Sequence, residues 1–243
     1  MPIPVKIELP EWSFNVAWKI SELRASHFKN RFQNKKIRSF HRGKKYYEHI
    51  ESIIGYLGDI ACAIFLGIDP KKMIVDMVYS TNCLKHRDEY DLVYNGLRID
   101  VKMEDYGKFQ NKVLNNTIKN NELYGHRLIN KTQWEENSKK IDIYVFGTFE
   151  KPFSYFYKLD QVKSVYLIGF VEKSEIETME FSNITPAGGK LHTPAKIIPH
   201  DKLIDINKLK DLKKQENSSK QSYLPNEDPD CENIINILEK IWL

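Results

Sequence analysis

The chain has 243 residues, 41% of them hydrophobic, 12% aromatic and 29% charged. That is enough for one large domain or two small ones with a sizeable core, and it excludes the fibrous, collagen-like and low-complexity classes. Lys and Arg total 37 against 33 Asp and Glu, a formal net charge of +4 that by itself says little about partners. The longest nearly unbroken apolar run, Ile60 to Ile68, is far short of the roughly 20 residues needed to cross a bilayer, and the start Met1-Pro-Ile-Pro-Val-Lys lacks a secretory leader pattern. A cytoplasmic protein without a membrane role is expected.

The first compositional feature is basic. Between Leu23 and Tyr47 stand nine cations (Arg24, Lys29, Arg31, Lys35, Lys36, Arg38, Arg42, Lys44 and Lys45) with no acid, and Phe28, Phe32, Phe40, Tyr46 and Tyr47 are interleaved. Such a stretch can meet a phosphate backbone while its rings pack inward or stack on bases, so it is expected to bind nucleic acid. A solvated basic helix face is the alternative.

Residues 47 to 66 predict a helix, with Ile50, Ile53, Ile54, Leu57, Ile60, Ala61 and Ile64 at three- and four-residue steps. Gly67 and Asp69-Pro70 end it. The β-branched run 74 to 79 predicts a first strand. Residues 142 to 149 and 165 to 171 are dense in Ile, Val, Tyr and Phe, as in strands buried on both faces. Segments 105 to 140 and 172 to 200 give no clear pattern as a whole, although a helix is expected within 131 to 140. The polar, proline-punctuated stretch 212 to 230 reads as a linker, and Ile234, Ile235, Ile237, Leu238 and Ile241 predict a short helix over 231 to 243. The economical organisation is a single domain over 1 to 211, made of a basic helical region (1 to 46) and a core (47 to 211). The alternation of helix and strand makes it α/β. Cys62, Cys83 and Cys231 lie far apart and cannot all pair, which argues against a disulfide framework or a zinc ribbon.

The most informative stretch runs from Glu89 to Glu104. Asn95-Gly96 is the strongest short signal for a two-residue type I′ hairpin. With that turn, Tyr94 pairs with Leu97, and continuing the register places Asp91 opposite Asp100. Tyr90, Leu92, Tyr94, Leu97, Ile99, Val101 and Met103 then form the core face. Glu89, Asp91, Val93, Arg98, Asp100, Lys102 and Glu104 form the other. Facing carboxylates repel and need compensation. A divalent cation would supply it, since Mg²⁺ takes one or two protein carboxylates plus phosphate oxygens and water. Arg98 and Lys102 on a solvated face are the plainer answer. Lys102 is placed to meet a phosphate, and to orient or deprotonate an attacking water if burial depresses its pKa.

Asp91 followed by Asp100-Val101-Lys102 resembles the motif of the PD-(D/E)XK nuclease superfamily, an acid on one strand and then Asp or Glu, any residue and Lys on the next. The order helix, three strands, helix, strand over residues 47 to 149 is similar as well, although Tyr90 stands where the family name expects proline and the connecting loop is very short. The resemblance implies a restriction-endonuclease-like core, a central mixed β-sheet flanked by helices. It implies that Asp91, Asp100 and the Val101 carbonyl hold Mg²⁺ (Mn²⁺ substituting) and that Lys102 is the catalytic lysine. Family members often carry an acid on the first helix, for which Asp59 is the candidate and Glu51 its rival. Gln133 is a further candidate, matching a glutamine that some members place on the helix after the lysine strand. The expected activity is Mg²⁺-dependent endonucleolytic hydrolysis of double-stranded DNA, most specifically by a type II restriction-like enzyme acting as a homodimer. Lys35, Lys36, Arg38, Arg42, Lys44 and Lys45 would make phosphate contacts, and loops 105 to 130 and 174 to 196 would read bases. Alternatives are a repair, recombination or phage nuclease, or a non-catalytic nucleic-acid-binding module.

Overall fold

A computed structural model describes residues 2–32, 50–86, 89–118, 127–151, 161–184, 190–213 and 228–242. Its centre is a mixed five-stranded sheet in the order β1-β6-β5-β3-β2, with β1 (Val5–Glu8), β2 (Leu92–Tyr94), β3 (Leu97–Met103), β5 (Ile143–Thr148) and β6 (Ser164–Glu172). β3 and β5 run parallel, and every other neighbouring pair is antiparallel. A smaller antiparallel sheet has the order β4-β8-β7, from β4 (Arg127–Asn130), β7 (Phe181–Ile184) and β8 (Lys190–Ile198). The helices are α1 (Ser13–Phe32), α2 (Ile50–Leu66), α3 (Pro70–Ser80), α4 (Gln110–Leu114), α5 (Lys131–Asn137), α6 (Lys173–Glu177) and α7 (Pro229–Trp242).

Alternation along the strands sorts the core into two parts. Ile143 and Val145 of β5 face one apolar cluster with Ile99 and Val101 of β3 and with residues of α1, α2, α3 and α7. Tyr144 and Phe146 face the other, with Val113, Ile129, Ile176 and Ile198 from α4, β4, α6 and β8. The chain is thus layered as long helices, the main sheet, and the small sheet with short helices. On β6 the alternation slips between Ile168 and Phe170: Val165, Leu167 and Phe170 face the first cluster and Ile168 and Val171 the second, where a bulge shifts the register against Phe146 and Gly147.

Four expectations need correction. Residues 74 to 79 lie in α3, not in a strand. Asp69-Pro70, read as the stop of α2, is also the start of α3: the Asp69 side chain accepts from the Lys71 N–H at 2.9 Å and Pro70 opens the first turn. Met73, Ile74, Met77 and Val78 are buried at helical steps. The N-terminal region is not wholly helical, since Val5–Glu8 pairs with β6 as an outer strand of the main sheet. Segments 105–130 and 174–196, expected to be reading loops, contribute α4, α6 and the three strands of the small sheet. Finally, one disulfide is present, Cys83–Cys231, joining the turn after α3 to α7. Among the described residues no helix is long and apolar enough to cross a membrane.

Candidate active site

The hairpin forms as its turn residues dictate. Asn95 and Gly96 adopt the left-handed backbone that a type I′ turn requires, with φ of 50° and 80°. Tyr94 faces Leu97, Val93 faces Arg98 and Leu92 faces Ile99. The ladder then stops, because β2 has only three residues whereas β3 continues to Met103. The Asp91 N–H donates to the Ile99 carbonyl at 2.9 Å, one residue out of the ladder's register. Beyond the end of β2, the Val101 N–H donates to the Asp91 Oδ2 at 2.5 Å. The expected direct pairing of Asp91 with Asp100 is therefore not formed. The slip also turns Tyr90 onto the cluster beneath the small sheet rather than the one that holds Leu92.

Asp100 and Lys102 point away from Ile99 and Val101. On the parallel side Asp100 neighbours Tyr144 and Lys102 neighbours Phe146. Asp100 is buried, and the Lys102 ammonium lies 2.6 Å from its Oδ2. Burial works against the Lys102 charge, but the carboxylates of Asp100, Asp91 and Asp59 outweigh it and hold the Lys102 pKa above its ordinary value of 10.5. The condition for a base role, a pKa depressed by burial, is not met. Lys102 is an ammonium and not a base at neutral pH.

Asp59 reaches this neighbourhood because α2 passes close to β3. Residues 56–63 of α2 are buried on every side, so the stripe that is polar in its first turns ceases to face solvent. At Gly58 an added Cβ would come within 2.6 Å of the Met103 Cγ and 3.4 Å of the Val101 Cγ1, so the helix can approach the strand this closely only without a side chain there. The next residue, Asp59, is 7% exposed, and its charge is felt by Lys102 and by the buried Cys62. Burial first, then Asp59 and Asp91, push the Cys62 thiol well above its usual 9.0, so it is neutral. Glu51 is exposed in the first turn of α2, about 12 Å along the axis from Asp59, and is not part of the cluster.

The remaining candidates are placed as follows. Arg98 does not neutralise Asp91 or Asp100; its guanidinium and backbone N–H both reach Asp142. Glu89 pairs with Lys140. Gln133 gives its backbone N–H to the Asn130 side chain at the start of α5, and its own side chain is exposed. Arg24, the first cation of the basic stretch, bonds the Tyr56 hydroxyl at 2.6 Å and the His86 carbonyl at 3.2 Å, an internal role. Lys35, Lys36, Arg38, Arg42, Lys44 and Lys45 lie outside the described residues. Two site neighbours were not anticipated, Cys62 and Tyr144. Cys62 follows Asp59 by one helical step and was findable from that spacing. Tyr144 was not, because nothing in the sequence reveals which residue of a parallel neighbour stands beside Asp100.

Asp59, Asp91 and Asp100 with the Val101 carbonyl offer hard oxygen donors of the kind Mg²⁺ and Mn²⁺ take. Together with Lys102 they count three negative charges to one positive. As the side chains stand, the described residues contain no group of three or more His, Cys, Asp or Glu arranged to hold a metal ion. The donor chemistry fits a divalent cation, while Lys102 now holds one of the carboxylates it would need. No family model, curated protein or solved structure matches the chain.

Proposed function

We propose that this protein is a metal-dependent phosphodiesterase acting on DNA, an endonuclease with a restriction-endonuclease-like core. The observation that carries the reading is the buried Lys102–Asp100 ion pair where β3 outruns β2, with the Asp91 carboxylate bound to the Val101 N–H and the Asp59 charge felt at the ammonium. Asp91, Asp100 and the Val101 carbonyl, with Asp59 behind them, would hold Mg²⁺ or Mn²⁺, which when bound activates water and offsets phosphate charge. Lys102 contributes a fixed positive charge. A phosphate arriving at the strand end attracts the ammonium away from Asp100, and charge growing on the phosphate oxygens is stabilised by it. Asp91 stays anchored through the Val101 N–H, so the carboxylate and the carbonyl of the same strand turn move as one unit. Within this class a type II restriction-like homodimer is the most specific form, with the basic stretch from Lys35 to Lys45 against the DNA backbone.

A second reading, a nucleic-acid-binding module without catalysis, is favoured by the close Lys102–Asp100 ion pair and by the lack of a ready-made carboxylate cage among the described residues. Incubating long mixed-sequence duplex DNA with the protein in Mg²⁺, Mn²⁺ or EDTA separates the two. Discrete fragments in either metal and none in EDTA support the enzyme. Salt-sensitive binding that persists in EDTA, with intact DNA throughout, supports the module.

A further inference from the structure

Tyr144 is a tyrosine where the packing asks for phenylalanine. It is 1% exposed within an apolar cluster, and Phe146, two residues along the same strand face, is a plain phenyl ring. The Tyr144 hydroxyl makes no hydrogen bond among the described residues. A buried hydroxyl without a partner is a cost that Phe would avoid. Its ring is held firmly: Trp134 stacks on it at 6.3 Å between centroids and 21° between planes. Lys196 in turn lies 4.4 Å from the Trp134 centroid, and its Nζ is fixed by the carbonyls of Ile176, Glu177 and Met179.

The residue beside Tyr144 in the parallel ladder is Asp100, on the same face of the sheet. Burial and the Asp100 charge both disfavour the phenolate, so the hydroxyl keeps its proton and can only gain by donating it into a hydrogen bond. Among the described residues Asp100 is paired with the Lys102 ammonium, the group that a phosphate would draw away.

We infer that Tyr144 is a positioning residue for Asp100, its hydroxyl taking over as hydrogen-bond donor to that carboxylate, directly or through one water, when Lys102 turns to a bound phosphate. This rests on the nuclease reading for the movement of Lys102, but the donor role can be tested without metal or DNA. In the resting chain the hydroxyl has no hydrogen-bond partner among the described residues; in the engaged chain it holds the Asp100 carboxylate in place while the ammonium is elsewhere.

Thermal unfolding of the full chain in a double-mutant cycle at pH 8 decides it. Tyr144→Phe alone is expected to leave the midpoint unchanged or raise it. In a Lys102→Met background, where Asp100 has lost its ammonium, the same change is expected to lower the midpoint by about 2–4 °C. Lys102→Ala serves as the second background should the methionine pack badly. A merely structural hydroxyl gives the same loss in both backgrounds. Equal effects in both, or a fall in the otherwise native chain, overturn the inference. The DNA cleavage assay described above stands apart, so the two readings can fail separately.

Discussion

Lys102 determines what kind of chemistry the site can do. Three carboxylates raise its pKa, so its ammonium persists through the neutral range, and in the proposed reaction it can serve by charge and not by taking a proton. The sign of the pH effect follows. A lysine whose folded pKa exceeds its unfolded value contributes stability that is complete below the unfolded value and disappears as pH climbs through the folded one. Its contribution is therefore constant from about pH 6 to 9 and is lost only in the alkaline range beyond the ordinary 10.5. Urea unfolding across pH should show wild type and Lys102→Met differing by a constant amount to about pH 9, with the gap closing above it. A gap that closes near pH 7 to 8 would mean the lysine is depressed and available as a base.

At the scale of elements, the close approach of α2 to β3 puts Asp59 within range, and glycine makes it possible. Gly55 and Gly58 lie one turn apart in α2 but have opposite surroundings. A Cβ at Gly55 meets nothing within 4 Å, whereas one at Gly58 runs into the Met103 side chain. Gly55→Ala should stabilise by about 0.5–1 kcal/mol through helix propensity alone. Gly58→Leu should destabilise by about 1–3 kcal/mol through overpacking and should cost activity as α2 backs away from the strand. The bridge Cys83–Cys231 spans 148 residues and fixes α7 to the turn after α3, so Cys231→Ser should lose about 2–5 kcal/mol in chemical denaturation. If that variant unfolds like the native chain, the bond is not formed in solution.

These elements also show how far the sequence could be read. The hairpin was legible to its register because Asn95-Gly96 is a local signal, and so were α2, β5, β6 and the terminal helix, each marked by its own periodicity or composition, while α5 was expected only from the family's order of elements. Where the hairpin ladder ends was not legible: it depends on the chain slipping at Asp91, which hydrogen bonding across the strands decides. α3 was misread because its β-branched run obscured a helical spacing that the capping Asp69-Pro70 announces. The small sheet was invisible for another reason: Lys190–Ile198 pairs with Arg127–Asn130 some 60 residues away in sequence, and no local pattern encodes such pairing. Of the candidate site, Asp91, Asp100 and Lys102 were named from alternation and a family resemblance, and Asp59 from that resemblance. The charge state of Lys102 and the proximity of Tyr144 required the packed sheet.

For the whole molecule, the long helices bury one face of the main sheet and the small sheet covers the other, so Asp100 and Lys102 are largely enclosed. Enclosure strengthens charge interactions, and it makes the loss of either partner expensive. The proposed function stands on Lys102 and Asp100 acting together in phosphodiester cleavage. Its most direct test is the rate of duplex DNA cleavage in Mg²⁺ by wild type, Lys102→Met and Asp100→Asn, each first shown by circular dichroism to be folded. Cleavage by the wild type and a loss of roughly a hundredfold or more in both variants are expected, with salt-sensitive DNA binding retained. Cleavage that survives in folded Lys102→Met and Asp100→Asn, or no cleavage by the wild type in either Mg²⁺ or Mn²⁺, would contradict it.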